Sequence, residues 1–117
     1  MGSWASLYVR RKESGPVTVL LPSGHLAMGP GLNELRTHIR RLMDEKRHVL
    51  VDLSEVTNID STGIGILVEA QAHAISSGGL LRICSLSPPM AFQISRLCLS
   101  KILPIFENES AALAGWT

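Results

Sequence analysis

The stretch "VDLSEVTNIDSTGIGILVEA", residues 51–70, decides how this chain is read. Val51-Asp52-Leu53 closes an apolar run that begins at His48, as expected of a strand covered on both faces. A polar loop follows. Asp60-Ser61-Thr62-Gly63 then opens a second apolar run at helical spacing. The first turn of a helix carries unpaired N–H groups and a partial positive charge, so the oxygens of Asp60 or Ser61 can cap it. The same physics admits a chemical role. A phosphate on Ser61 would add nearly two negative charges beside N–H groups that tolerate them. A docking surface there would change sign without breaking the fold. The residues alone leave both readings open.

Outward from this stretch, strand and helix signals alternate. Residues 17–21, "VTVLL", read as a strand, Pro22-Ser23-Gly24 as a turn, and "HLAM" (25–28) as a short second strand. Leu32, Leu35, Ile39, Leu42 and Met43 fall on one stripe and predict a helix over 32–46. Strand 48–53, helix 62–77, strand 80–84, a helix from Pro88 to about Leu99, strand 103–106 and a final helix over 109–116 complete the series. Ser87 caps the third helix, with Pro88 at its first position. The alternation predicts an α/β domain with a partly parallel sheet. Residues 1–15 read as a polar arm with strand character at Leu7-Tyr8-Val9, and residues 16–117 as the single domain.

Composition narrows the function classes. The chain has 117 residues, 45% apolar and 4% aromatic, so the core is mostly aliphatic. Eleven Lys/Arg against ten Asp/Glu leave a net charge of +1, which gives no footing for nucleic acid. No apolar run approaches the roughly 20 residues of a membrane helix, and direct membrane contact is not expected. Cys84 and Cys98 stand apart from any paired-Cys or Cys/His motif and are expected to be buried, reduced thiols of a cytoplasmic protein. The N-terminal "MGS", with Ser6 four residues after Gly2, reads as an expression scar before an acylation signal. His25, His38, His48 and His73 have no metal-ligand spacing. Neither a nucleophile elbow, a phosphate loop nor a zinc motif is present, so the chain reads as a non-enzyme with no cofactor and no metal.

The second helix divides its faces. Ile64, Leu67, Val68, Gln71 and Ile75 share one side, which is assigned mostly to the core. Ile66 falls nearly opposite, near Gly63, Ala70 and His73, where an exposed Ile would suit a partner's groove. Gly63 and Gly65 lack side chains and would let a partner approach the helix start closely. Ile66 and the apolar third helix, with Phe92, leave a homodimer open.

The blocks "VTVLLPSGHL", "VLVDLSEVTNIDSTGIGILVEA", "SGGLLRI" and "KILPIFENESAAL" together resemble STAS domains of the anti-anti-sigma factor type, also called anti-sigma factor antagonists. "VDLSEVTNIDSTGIGIL" is the specific part. The resemblance implies a sheet of four or five strands with about four helices packed mainly on one face. It implies that the unphosphorylated domain binds an anti-sigma factor that is itself a serine kinase, freeing a bacterial sigma factor. Phosphorylation of the Asp-Ser serine, here Ser61, would end binding, and a metal-dependent serine phosphatase would restore it. Asp60, Thr62, Gly63 and Asp52 would surround that site, and Ile66, Gly65 and His25 would contact the partner. The sequence departs from the family where acidic residues usually follow the strand glycine, since His25 and Ala27 stand there. The same fold also serves as scaffold in stress-signalling assemblies and as subunit of lipid-transport machines. A small-molecule or nucleotide module is the third reading, supported only by glycine-rich turns.

Overall fold

The computed structural model describes residues 7–116, so residues 1–6 of the expected arm, with Gly2 and Ser6, lie outside the described residues. The elements run β1 (Leu7–Ser14), β2 (Val17–Leu26), α1 (Pro30–Asp44), β3 (His48–Asp52), β4 (Glu55–Ile59), α2 (Ser61–Ser77), β5 (Leu81–Cys84), α3 (Pro88–Arg96), β6 (Ile105–Phe106) and α4 (Glu109–Leu113). A short 3-10 turn at Leu99–Lys101 follows α3. The α/β class and the helices around one mixed sheet are as expected, and the sheet has six strands rather than four or five.

Both additions to the sheet have physical causes. Leu7–Ser14, inside the expected arm, pairs antiparallel with β2 along its whole length. Its charged residues keep this edge from pairing with other chains. The other new strand, β4, lies in the expected loop. Only Val56 and Ile59 of its five residues are buried, too few to make a pattern.

Pro22-Ser23-Gly24 is not a turn, and Val17–Leu26 is one continuous strand. On one side β2 pairs with β3 through Leu20, and then with β4 from Ser23 onward. Pro22 falls in the gap between these two partners, where a residue without an N–H costs nothing. The register shifts between Gly24 and His25, and Gly24 takes φ 112 there, a bulge conformation that glycine adopts without strain.

Alternation sorts the sheet residues between two cores. Val49, Val51, Leu81 and Ile83 face the larger core with α1, α2 and α3. Leu50, Cys84, Val17 and Val19 face a smaller core closed by Ala112 of α4 and by Trp116. Helix α1 buries Leu32, Leu35, Ile39, Leu42 and Met43, the stripe read from the sequence. Each such side chain contributes about 1.5–3 kcal/mol of burial. Thr18, the one buried hydroxyl among the described residues, is satisfied: it donates to Glu13 Oε1 at 2.8 Å and accepts from Arg47 Nε at 3.0 Å.

Helix α2 packs differently from expectation. Ile66 is only 8% exposed and belongs to the larger core, whereas Ile75 is 72% exposed. Because α2 packs against both the sheet and α1, its buried arc is wide and turned toward α1. A hydrogen bond at 3.2 Å between His73 Nε2 and Asp44 Oδ1, across the same two helices, marks that contact. Ile66 is therefore not free to meet a partner. Cys84 is buried as expected, but Cys98, in a left-handed conformation just past α3, is exposed.

Candidate functional site

The site is built where β2 and β4 end together and α2 begins. Asp60 is the helix cap: its Oδ1 accepts from Gly63 N at 2.8 Å. Its Oδ2 accepts from Met28 N at 3.1 Å, and its own N–H donates to Leu26 O at 3.3 Å. One carboxylate thus joins the end of β2, the loop after it and the first turn of α2. The Gly63 N–H, helped by the Met28 N–H, holds the Asp60 carboxyl below its ordinary range against some loss of solvation.

Ser61 is the first residue of α2 and is exposed, and its hydroxyl makes no hydrogen bond among the described residues. Because Asp60 does the capping, the Ser61 oxygen is not needed for it. Thr62 is half-buried beside it, and Gly65, one turn on, is exposed. Gly63 is buried instead: a Cβ there would stand 2.0 Å from Leu26 O and 2.9 Å from Ile59 Cγ1. Its lack of a side chain serves the close approach of α2 to β2, not that of a partner.

His25 lies on the β2 side of the same end. It is exposed, and its Nδ1 is hydrogen-bonded to Asn58 Oδ1, across the β2–β4 pair. Thr57 Oγ1, which donates to Gly24 O at 3.0 Å, is 3.4 Å from the same ring nitrogen. The structure therefore brings His25, Asp60, Ser61, Thr62 and Gly65 to one end of the sheet.

Asp52 belongs elsewhere. It is buried on the α4 side of β3, where its Oδ1 accepts from Ser54 N at 3.0 Å. Burial disfavours its charge, yet hydrogen bonding from Ser54, with the Ser85 hydroxyl nearby, prevails and keeps its pKa below the ordinary value. It shapes the end of the smaller core rather than the surroundings of Ser61.

Two contributors escaped the sequence. Met28 joins the site through its backbone N–H, which any residue but proline supplies, so no side-chain pattern could announce it. Its own side chain is 78% exposed beside the loop. Gln93 of α3 donates from Nε2 to Ile59 O at 3.4 Å, tying the third helix to the residue before Asp60. Nothing local links residues 34 positions apart. No group of His, Cys, Asp and Glu suited to a metal occurs among the described residues.

Comparison with known proteins agrees with this architecture. The STAS domain family matches residues 8–112. The anti-sigma F factor antagonist of Paenibacillus polymyxa is 30% identical over 81 residues, 64% of this chain and 69% of that protein. Among solved structures, an anti-sigma factor antagonist from Mycobacterium paratuberculosis superposes with a TM-score of 0.79 at 21% identity, covering 93% of this chain and 92% of that one. The anti-sigma factor antagonist SpoIIAA in its unphosphorylated form gives 0.68 at 13% identity, covering 90% and 91%. With the family match spanning nearly the whole described chain, and with the helix start built on Asp60-Ser61 at the shared end of β2 and β4, this chain belongs to the STAS domain family.

Proposed function

We propose that this protein is a cytoplasmic anti-sigma factor antagonist that switches partners at Ser61. In its unphosphorylated form it binds an anti-sigma factor that is a serine kinase, and so frees a sigma factor. The kinase transfers the γ-phosphoryl group of its own ATP to Ser61 Oγ. The serine proton leaves to a base on the kinase, and ADP departs. A serine phosphatase hydrolyses the ester and restores binding.

The observation that carries this reading is the division of labour at the helix start. Asp60 satisfies the cap, so Ser61 is exposed with an unengaged hydroxyl. A phosphate there adds about 1.5 to 2 negative charges next to an ionised carboxylate. The helix N-terminus accommodates that charge, while a partner surface matched to the neutral serine does not. The antagonist names of the Paenibacillus relative and of the structural neighbours support the same reading. The fold by itself carries less weight, because a sulfate transporter family protein shares it at a TM-score of 0.70.

The test is intact-mass spectrometry with fragment mapping after incubation with Mg²⁺, ATP and the anti-sigma kinases encoded nearby. A single phosphate on Ser61 is expected. Ser61→Asp should weaken kinase binding by tenfold or more, about 1.4 kcal/mol. Ser61→Ala should bind and resist inactivation. If no active kinase modifies the chain, and a membrane ATPase is recovered with it instead, the protein is a subunit of a transport assembly.

A further inference from the structure

We infer that Met28 is a specificity residue for the phosphorylation of Ser61, met by an apolar pocket that the kinase carries beside its phosphoryl-transfer cleft. The inference rests on the reading of Ser61 as the phosphoacceptor. Met28 lies between β2 and α1, in a loop of residues 27–29. The loop is fixed on both sides. Met28 N donates to Asp60 Oδ2 at 3.1 Å, and Asp60 immediately precedes Ser61. Just past the loop, Gly31 lies so close to β1 that a Cβ on it would stand 2.6 Å from Leu7 Cβ. On this anchored loop the Met28 side chain is 78% exposed, more than any other large apolar side chain among the described residues.

Its position says what covers it. A kinase that brings ATP to Ser61 Oγ must enclose the first turn of α2, and the Met28 backbone is bonded to the carboxylate next to that serine. No such tie exists for Ile75, which is 72% exposed but stands about 21 Å along the helix axis from Ser61, at 1.5 Å per residue.

The charged groups around the loop leave little for an ion pair with the kinase. Asp60 is held by the Gly63 and Met28 N–H groups, and the His25 ring is bonded to Asn58. On α1, Arg36 stands 3.6 Å from Glu69, and Glu34 shares a groove with Arg41. Burial of the thioether is the contact that remains. Methionine suits it, because an unbranched chain with a polarizable sulfur adapts to the shape of its pocket.

Steady-state phosphorylation by the anti-sigma kinase, at saturating Mg²⁺ and ATP and with the phosphate mapped by fragmentation, tests the inference. Met28→Ala keeps the N–H that Asp60 accepts. It should raise KM for this protein roughly tenfold while kcat and the melting temperature stay unchanged. Met28→Glu should raise KM further, because a carboxylate would have to enter the same apolar pocket. Met28→Leu should return most of the original KM. Ile75→Ala, far along α2, should leave KM unchanged. If the wild type takes phosphate on Ser61 and Met28→Ala keeps the wild-type KM, Met28 is not the contact and the Ser61 reading stands. A fall in kcat alone, or an equal rise in KM for Ile75→Ala, overturns the inference in the same way. If no active kinase phosphorylates the wild type on Ser61, that reading falls and the role of Met28 falls with it.

Discussion

Gly63 and Gly65 stand two residues apart in "GIG" and look alike on paper, yet their surroundings are opposite. A Cβ on Gly63 would be driven into Leu26 O and Ile59 Cγ1, whereas a Cβ on Gly65 would meet nothing within 4 Å. The Leu26 oxygen is backbone and already accepts the Asp60 N–H, so it cannot give way cheaply. Gly63→Ala should therefore cost about 3 kcal/mol and lower the melting temperature by roughly 10 °C. Gly65→Ala should do the reverse, adding about 0.5–1 kcal/mol because glycine weakens a helix interior. Thermal melts of the two variants decide this, and equal losses would refute the close approach of α2 to β2. The same pair tests function. If the kinase partner lies against Gly65, Gly65→Ala will bind it less tightly despite its greater stability. Unchanged binding would place the contact elsewhere on the helix start.

At the scale of elements, a single arginine fastens α4 to β5. Asn108 caps the helix through Ala111 N at 2.8 Å, but five helical residues do not hold themselves together. The Arg82 guanidinium carbon lies 4.9 Å from the Phe106 ring centre and 4.4 Å from that of Trp116. Its bond to Ala112 O then fastens α4 to β5. Arg82→Met keeps the apolar stem and removes the cation, at a cost of about 2 kcal/mol from two ring contacts and one charged hydrogen bond. Amide exchange across residues 109–113 should quicken roughly thirtyfold while α2 keeps its protection. Equal acceleration everywhere would mean that α4 has no separate stability. This element also shows where sequence stopped being legible. Helix α1 was readable because its apolar stripe is narrow and its outer face charged. The start of α2 at Asp60-Ser61 was readable because a capping acid and a hydroxyl open an apolar run. In α2, apolar residues surround the axis, so periodicity could not choose between Ile66 and Ile75, and only the position of α1 does. Strand β4 and the unbroken β2 depend on which strand lies beside each residue. That information resides in pairs distant in sequence, as His25 and Asn58 illustrate.

For the whole molecule, titration sets limits on stability from both sides. Asp60, Asp52 and Glu13 all have carboxyls held below their ordinary values, Glu13 chiefly by Arg11 and Thr18. A depressed carboxyl favours the folded state above its unfolded pKa, so stability is full above about pH 5 and falls as acid protonates these groups. The alkaline side starts with Cys84. Burial pushes its thiol up from 9.0 to about 11, with the charges of Asp52 and Glu109 adding to the effect. Between those values the unfolded chain releases the thiol proton and the folded chain keeps it. Stability must then decline with rising pH, by at most about 1.4 kcal/mol per pH unit. Lys12, raised by its hydrogen bond and 2.7 Å ion pair with Glu109, adds its loss only above 10.5. Urea titrations from pH 8 to 11 should therefore show a decline that begins near 9, before the loss from Lys12 sets in. Cys84→Ala removes the thiol and leaves a small cavity. It should lower stability at pH 7 and flatten the slope between 9 and 10.5, so level and slope move independently. A variant that keeps the slope between 9 and 10.5 would refute Cys84 as the source of the alkaline limb, because the loss from Lys12 begins only above that window.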